Sequence, residues 1–263
     1  MSEPVPTPGS APLAGAPVKS DSTADAPGAA ADTSAPRGVG LLRGTVVLLR
    51  KDLLLEWRTK ARLNALVFFA FATLLMFSFA LGPDTALLAK NAGGYLWLAI
   101  LFSSVLSLGE SFRVESENAS LDGLRLAPAD ARAIFLSKAV GNAVLLFALG
   151  VLLFPVMVAL FGVKLAGSVG GFALVLALGC SAIAAPGTIY AAIASHARAR
   201  DVLLPLLLFP LLIPALLASV KGTTLLLHGD PMDQLGSWLG LLGSFNLIYW
   251  GLGLALFPRV IED

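Results

Sequence analysis

Apolar residues in this chain gather into six long runs, and polar residues gather between them. The runs cover about residues 64–82, 92–109, 138–162, 170–194, 202–220 and 235–257. At 1.5 Å per residue, each can cross a hydrocarbon core of about 30 Å. The pattern predicts an all-α polytopic membrane protein with six transmembrane helices.

A seventh helix is expected ahead of them. In "LLRGTVVLLRKDLLLEWRTKAR", Leu42, Val46, Leu49, Leu53 and Trp57 recur at spacings of four, three, four and four, one face of a helix, while Arg43, Arg50, Lys51 and Arg58 stand elsewhere. A basic amphipathic helix carrying a Trp suits the membrane surface, its long cations reaching the headgroups. Its last turns, with Leu53, Glu56, Trp57 and Arg58, lead into the first span. Residues 1–40 have no such pattern. They are Pro, Ala, Ser, Thr and Gly with almost no large apolar side chains, too little to offset the entropy of ordering. They read as a disordered tail, and without a basic start and an apolar core the tail is not a signal peptide. The expected division is a tail over 1–40 and a six-span permease domain over 41–263.

Composition sharpens the membrane reading. Of the 263 residues 57% are hydrophobic and 13% charged, against about a quarter charged in soluble domains, and mean hydropathy is +0.83. Charge then sets the orientation. Arg43, Arg50, Lys51, Arg58, Lys60 and Arg62 precede the first span. Arg113, Arg125, Arg132 and Lys138 lie between the second and third, Arg198 and Arg200 follow the fourth, and Arg259 is near the end; the opposite face has only Lys90, Lys164 and Lys221. This asymmetry places the richer face, and both termini, in the cytoplasm.

No catalytic constellation accompanies the spans. The string closest to a phosphate loop, "GVKLAGS", lacks the gripping lysine and falls on the outer face. HExxH and GxSxG are absent, and "NAS" at Asn118–Ser120 is a three-residue match on the inner face. Cys180 is the sole cysteine, so the chain has no internal disulfide and no CxxC site; His196 and His228 are too few for a metal site. His228 reads as a solvated loop residue rather than a haem ligand. The spans also have few of the buried carboxylates or histidines that ion-coupled carriers use, so any energy source belongs to another chain. Nothing calls for a nucleic-acid partner.

Two spans stand out. Pro205, Pro210 and Pro214 lie in the fifth, each removing a backbone donor and favouring a kink, read as static or as a mobile gate. Gly236 and Gly240 in the sixth are spaced for close approach of another helix.

The most unusual segment is "ESFRVESENASLDGLRLAPAD", Glu110–Asp130, a charged link between the second and third spans. Val114, Leu121 and Leu124 share one helical face, and Glu115, Glu117 and Asp122 lie around it. Pro128 ends the piece, and Asp130 is placed to cap the next helix. The link reads as a short amphipathic cytoplasmic helix and a turn, suited to docking in a groove of a soluble partner. The entry helix, six spans and this helix together resemble type-2 exporter permeases of the ABC class. More narrowly, "KDLLLEWRTK", "LGPDTALLAKNAGGYLWLAILFSSVLSLGESF", "ESENASLDGLRLAPADARAIFLSK" and "APGTIYAAIASHARARDVLLPLLLFPLLIP" resemble the CcmB family, the membrane permeases of the haem exporter in bacterial cytochrome c maturation, over about residues 41–258.

The resemblance implies a bacterial inner-membrane protein that is itself no enzyme. It implies a separate ABC ATPase, which supplies the ATP, and two membrane neighbours, one large and haem-handling, the other small. ATP hydrolysis is tied to release of a haem-loaded chaperone. Val114, Glu115, Glu117, Asn118, Leu121, Leu124 and Arg125 then fall on the helix that receives the ATPase stroke. A homodimer is compatible with this class. Trp57, Trp97, Trp238 and Trp250 form no tryptophan-rich haem platform. Two alternatives stay open: an exporter permease for a lipid-linked polymer or drug, and a scaffold that moves nothing.

Overall fold

The computed structural model of the chain describes residues 41–82, 84–117, 130–195 and 200–262. The expected tail, and Asn118, Leu121, Leu124 and Arg125 of the link, lie outside these residues. The described residues form seven helices and no strand: α1 (Leu41–Thr59), α2 (Ala61–Leu81), α3 (Thr85–Glu117), α4 (Ala131–Phe161), α5 (Val169–Ser195), α6 (Arg200–His228) and α7 (Leu235–Glu262). The last six are each long and apolar enough to cross a membrane.

Every span is longer than its apolar run, and α3, α4 and α6 exceed theirs the most. α3 begins at Thr85, because Asp84 accepts from the backbone amides of Ala86 and Leu87, both at 3.1 Å, and so starts a helix through the polar Lys90 and Asn91. α4 begins at Ala131, where Asp130, in extended backbone, accepts from the Arg132 amide at 2.9 Å, as its cap position anticipates. α6 continues past residue 220 through Lys221, Thr223 and Thr224 to His228. There the Thr223 hydroxyl accepts from Trp97 Nε1 at 2.9 Å, and Thr224 returns its own hydroxyl to the Val220 carbonyl. Polar residues that interrupt an apolar run need not interrupt a helix when their side chains are satisfied inside it. His228 accordingly ends α6 instead of lying in a loop; it remains exposed, and its Nε2 stands 3.1 Å from the Ala89 carbonyl, so that nitrogen carries the proton.

α5 occupies the centre, against α3, α4, α6 and α7. Its sequence explains why. Gly179, Cys180, Ala182, Ala184, Ala185, Gly187 and Thr188 are buried and small, and small residues let helix backbones approach where lipid offers no hydrophobic drive for association. The indole of Trp97 lies on Gly179 and the side chain of Leu108 on Gly187. α2 and α7 are peripheral. Phe68, Phe71, Met76 and Phe79 of α2, and Leu247, Ile248 and Leu252 of α7, are exposed on the bundle surface, as lipid-facing positions are.

Candidate functional site

The charged link is rooted in the bundle. α3 has 33 residues, about 50 Å at 1.5 Å per residue, and so outruns a core of about 30 Å. Its final turns carry Val114, Glu115 and Glu117. This corrects one expectation: up to Glu117 the amphipathic piece is not a separate helix but the unbroken end of the second span. The sequence "SLGESFRVESE" lacks proline, and Gly109 alone does not stop a helix supported on both sides.

At the root, four helices meet through polar side chains. Arg62, at the start of α2, donates from Nη1 to Glu56 Oε2 of α1 at 2.8 Å. From Nη2 it donates to the Ser107 carbonyl at 2.6 Å and the Ser107 hydroxyl at 2.8 Å on α3. Asn142 of α4 completes the group, its Oδ1 accepting from Ser107 at 3.3 Å. Nearby, Lys138 of α4 donates to the Ser111 carbonyl at 3.1 Å and pairs with Asp52 of α1 at 3.4 Å; Asp52 also pairs with Lys51 at 3.2 Å. Lys138 is 9% exposed and Asn142 4%. Among the described residues, Glu56 Oε1, Arg62 Nε, Asn142 Nδ2 and Ser103 Oγ are buried without a hydrogen-bond partner. Three belong to this group, and Ser103 is one turn deeper than Ser107 on α3.

The chain reaches this geometry by turning sharply. Lys60, between α1 and α2, has φ +48°, a left-handed conformation uncommon for a residue with a Cβ. That one residue ends α1 and starts α2, and brings Glu56 back toward Arg62. On α1 the side facing the chain carries Leu48, Leu49, Asp52 and Glu56, with Leu49 over Gly141 of α4, whereas Leu42, Val46, Val47, Leu53 and Leu54 are exposed. Of the expected interfacial stripe, Leu42, Val46 and Leu53 are thus outward and Leu49 inward, the Trp57 side chain lies outside the described residues, and Glu56 points inward. Periodicity gave Asp52, Arg62, Ser107, Lys138 and Asn142 no role. The available signal was charge inside or beside a span, at Arg62 and Lys138, where an ionisable group costs several kcal/mol unless paired.

The other anticipated positions are dispersed. Pro205, Pro210 and Pro214 sit within an unbroken α6, Pro205 half-buried and the other two exposed. Gly236 and Gly240 are exposed, and a Cβ at either would meet nothing within 4 Å; close approach there would have to be to lipid or to another chain. Trp97 and Trp250 serve as struts, donating to Thr223 and to Ser181. No group of three or more metal-ligating residues exists among the described residues. On the opposite face, Asp230 accepts from the amides of Gln234 and Leu235, and these bonds hold its carboxyl below the usual range.

An amphipathic helix followed by six membrane-length helices defines a polytopic membrane protein. The sequence profile of the family described as CcmB protein matches residues 43–258, and the chain belongs to that family. It is 30% identical over 202 residues to heme exporter protein B of Pseudomonas aeruginosa, covering 76% of this chain and 90% of that one. It is 28% identical over 206 residues to heme exporter protein B of Bradyrhizobium diazoefficiens (78% and 91%). To heme exporter protein B of Rhodobacter capsulatus it is 32% identical over 170 residues (65% and 78%).

Proposed function

We propose that this chain is the non-catalytic permease of an ATP-driven inner-membrane complex of cytochrome c maturation, serving haem export or release of a haem-loaded chaperone. A separate ATPase docks on the charged link at Val114, Glu115, Glu117, Asn118, Leu121, Leu124 and Arg125. The large haem-handling protein and the small membrane protein of the same complex are its neighbours in the bilayer. The observation that carries the coupling is the continuity of α3 from the buried centre of the bundle to Glu117. A push on the link has a rigid path to the core, which a loop would not provide. The names of the relatives carry the haem. Residues 1–40 act as a cytoplasmic tail and residues 41–263 as the permease domain. ATP hydrolysis by the purified complex, measured with and without this chain, tests the reading: hydrolysis and maturation that both persist without the chain would overturn it.

Orientation is tested directly. In a Cys180→Ala background, single cysteines at Ala86, Ala166 and Met232, all exposed, should react with an impermeant thiol reagent applied from the periplasm. Cysteines at Ser120 and Ala199 should not. Labelling at Ser120 from that side would put the link on the wrong face for an ATPase.

The tail offers no apolar stripe, so deletion of residues 2–38 should leave the membrane complex and c-type cytochrome levels unchanged. Blotting for the chain and haem staining of the cytochromes measure this. Loss of maturation with the truncated chain still in the membrane would assign the tail a partner.

A further inference from the structure

Two ion pairs tie α1 to the root of the link, and both are built alike. Lys138 bridges Asp52 of α1 to the Ser111 carbonyl of α3. Arg62 bridges Glu56 of α1 to the Ser107 carbonyl of α3. The two carbonyls are four residues apart, on successive turns of one helix. Each cation therefore joins a carboxylate of the outer helix to a backbone oxygen of the helix that becomes the link, and each reaches it from a different neighbour, α4 or α2.

Adhesion alone does not explain this design. A buried ion pair is commonly no more stabilising than a well-packed apolar replacement. An ionic clamp instead sets register: each cation holds a carboxylate of α1 and a backbone carbonyl of α3 at once, and sliding α1 past α3 breaks that double hold. α1 depends on that, because Leu42, Val46, Val47, Leu53 and Leu54 face away from the chain. The clamp also retains freedom. Arg62 Nε and Asn142 Nδ2 are spare donors and Glu56 Oε1 a spare acceptor within one group, so other pairings are open to it when α1 shifts.

We propose that Lys138 and Arg62 are positioning residues that clamp α1 to the last membrane turns of α3, so that α1 and the charged link move as one body when the ATPase displaces the link. This rests on the coupling role proposed for the link. It makes α1 part of the moving machinery, where a surface anchor would stay still.

The test uses the whole complex in its membranes. In a Cys180→Ala chain, Leu49→Cys and Gly141→Cys place a cross-linkable pair between α1 and α4; a Cβ at Gly141 would lie 3.5 Å from Leu49 Cδ1. Lys138→Glu, which sets a second carboxylate against Asp52, should lower both cross-link yield and cytochrome c maturation at least tenfold. Chain level and ATPase co-purification should hold. Exchanging the charges, Asp52→Lys with Lys138→Asp, should recover at least half of each signal, which a generally weakened fold would not do. Full maturation in Lys138→Glu, or an exchanged pair that inserts without recovery, overturns the clamp. Should the reversal prevent folding, Asp52→Asn replaces it. That variant should lose maturation several-fold and regain it when the disulfide between the two introduced cysteines is closed; no gain on closure overturns the clamp. Leu121→Asp in parallel separates the two ideas. Lost maturation there beside full maturation in Lys138→Glu sinks the clamp alone, and full maturation in both sinks the coupling reading and the clamp with it.

Discussion

Replacing Leu121 with aspartate is expected to leave the chain in the membrane and to strip it of its ATPase. Burying one leucine in a docking groove contributes about 1.5–3 kcal/mol. The substitution removes that and adds a carboxylate with no partner, a further cost unless water reaches it. At about 1.4 kcal/mol per factor of ten, the contact weakens at least tenfold. The change lies outside the spans, so insertion should be unaffected. Co-purification of the ATPase with this chain should fall, and c-type cytochromes should fail to mature. Glu117→Lys should act more mildly, since exposed ion pairs are worth about 0–1 kcal/mol. Full co-purification and full maturation in Leu121→Asp would reduce the link to a solvated loop.

The largest effect on the fold itself is expected at Gly253. A Cβ there would overlap the tip of the Phe135 ring. That ring is fully buried, with Trp250 and Phe257 beside it at centroid distances of 5.9 and 5.3 Å, so to make room it must press on neighbours that are themselves packed. Overpacking of this kind costs about 1–3 kcal/mol or more, and Gly253→Leu adds a whole side chain. The amount of chain in the membrane should drop several-fold, by immunoblot and by thermal aggregation of the detergent-solubilised protein. Phe135→Ala should restore part of it by vacating the space, as coupled neighbours do. Gly240→Leu is the control, because nothing of this chain lies within 4 Å of a Cβ there. If Gly240→Leu keeps its level but loses its membrane partners, the Gly236–Gly240 face belongs to an interface with another chain.

What was legible in the sequence follows from what lipid demands. A span must be apolar along its length, so the six spans stood out, and Asp130 showed as a cap because the chemistry of a helix start is local. The early start of α3 did not show because the cap at Asp84 opens onto polar residues ahead of the apolar run, and the extra turns of α6 did not show because Thr223 there is satisfied by Trp97, far away in the chain. The clamp was hidden for the same reason. Asp52 and Glu56 look like the solvated side of an amphipathic helix until Lys138 and Arg62 are placed beside them. The glycines show the opposite case: Gly236 and Gly240 have the familiar spacing and meet nothing in this chain, while Gly179, Gly187 and Gly253, each under a large side chain, have no spacing that marks them.

The clamp also constrains the order of biosynthesis. Asp52 leaves the ribosome long before Lys138, the lysine it pairs with, which lies more than eighty residues later and beyond two spans. At about 5–20 residues per second, α1 waits about 4–17 s for that contact. Throughout the interval it must neither thread across the bilayer nor drift into the cytoplasm. Leu42, Val46 and Leu53 on one side and Arg43, Arg50 and Lys51 beside them give it a resting place among the headgroups until α4 arrives. The same helix therefore serves two surfaces taken up at different times, lipid along Leu42, Val46 and Leu53 from the start and protein along Leu49 and Asp52 once α4 has been made.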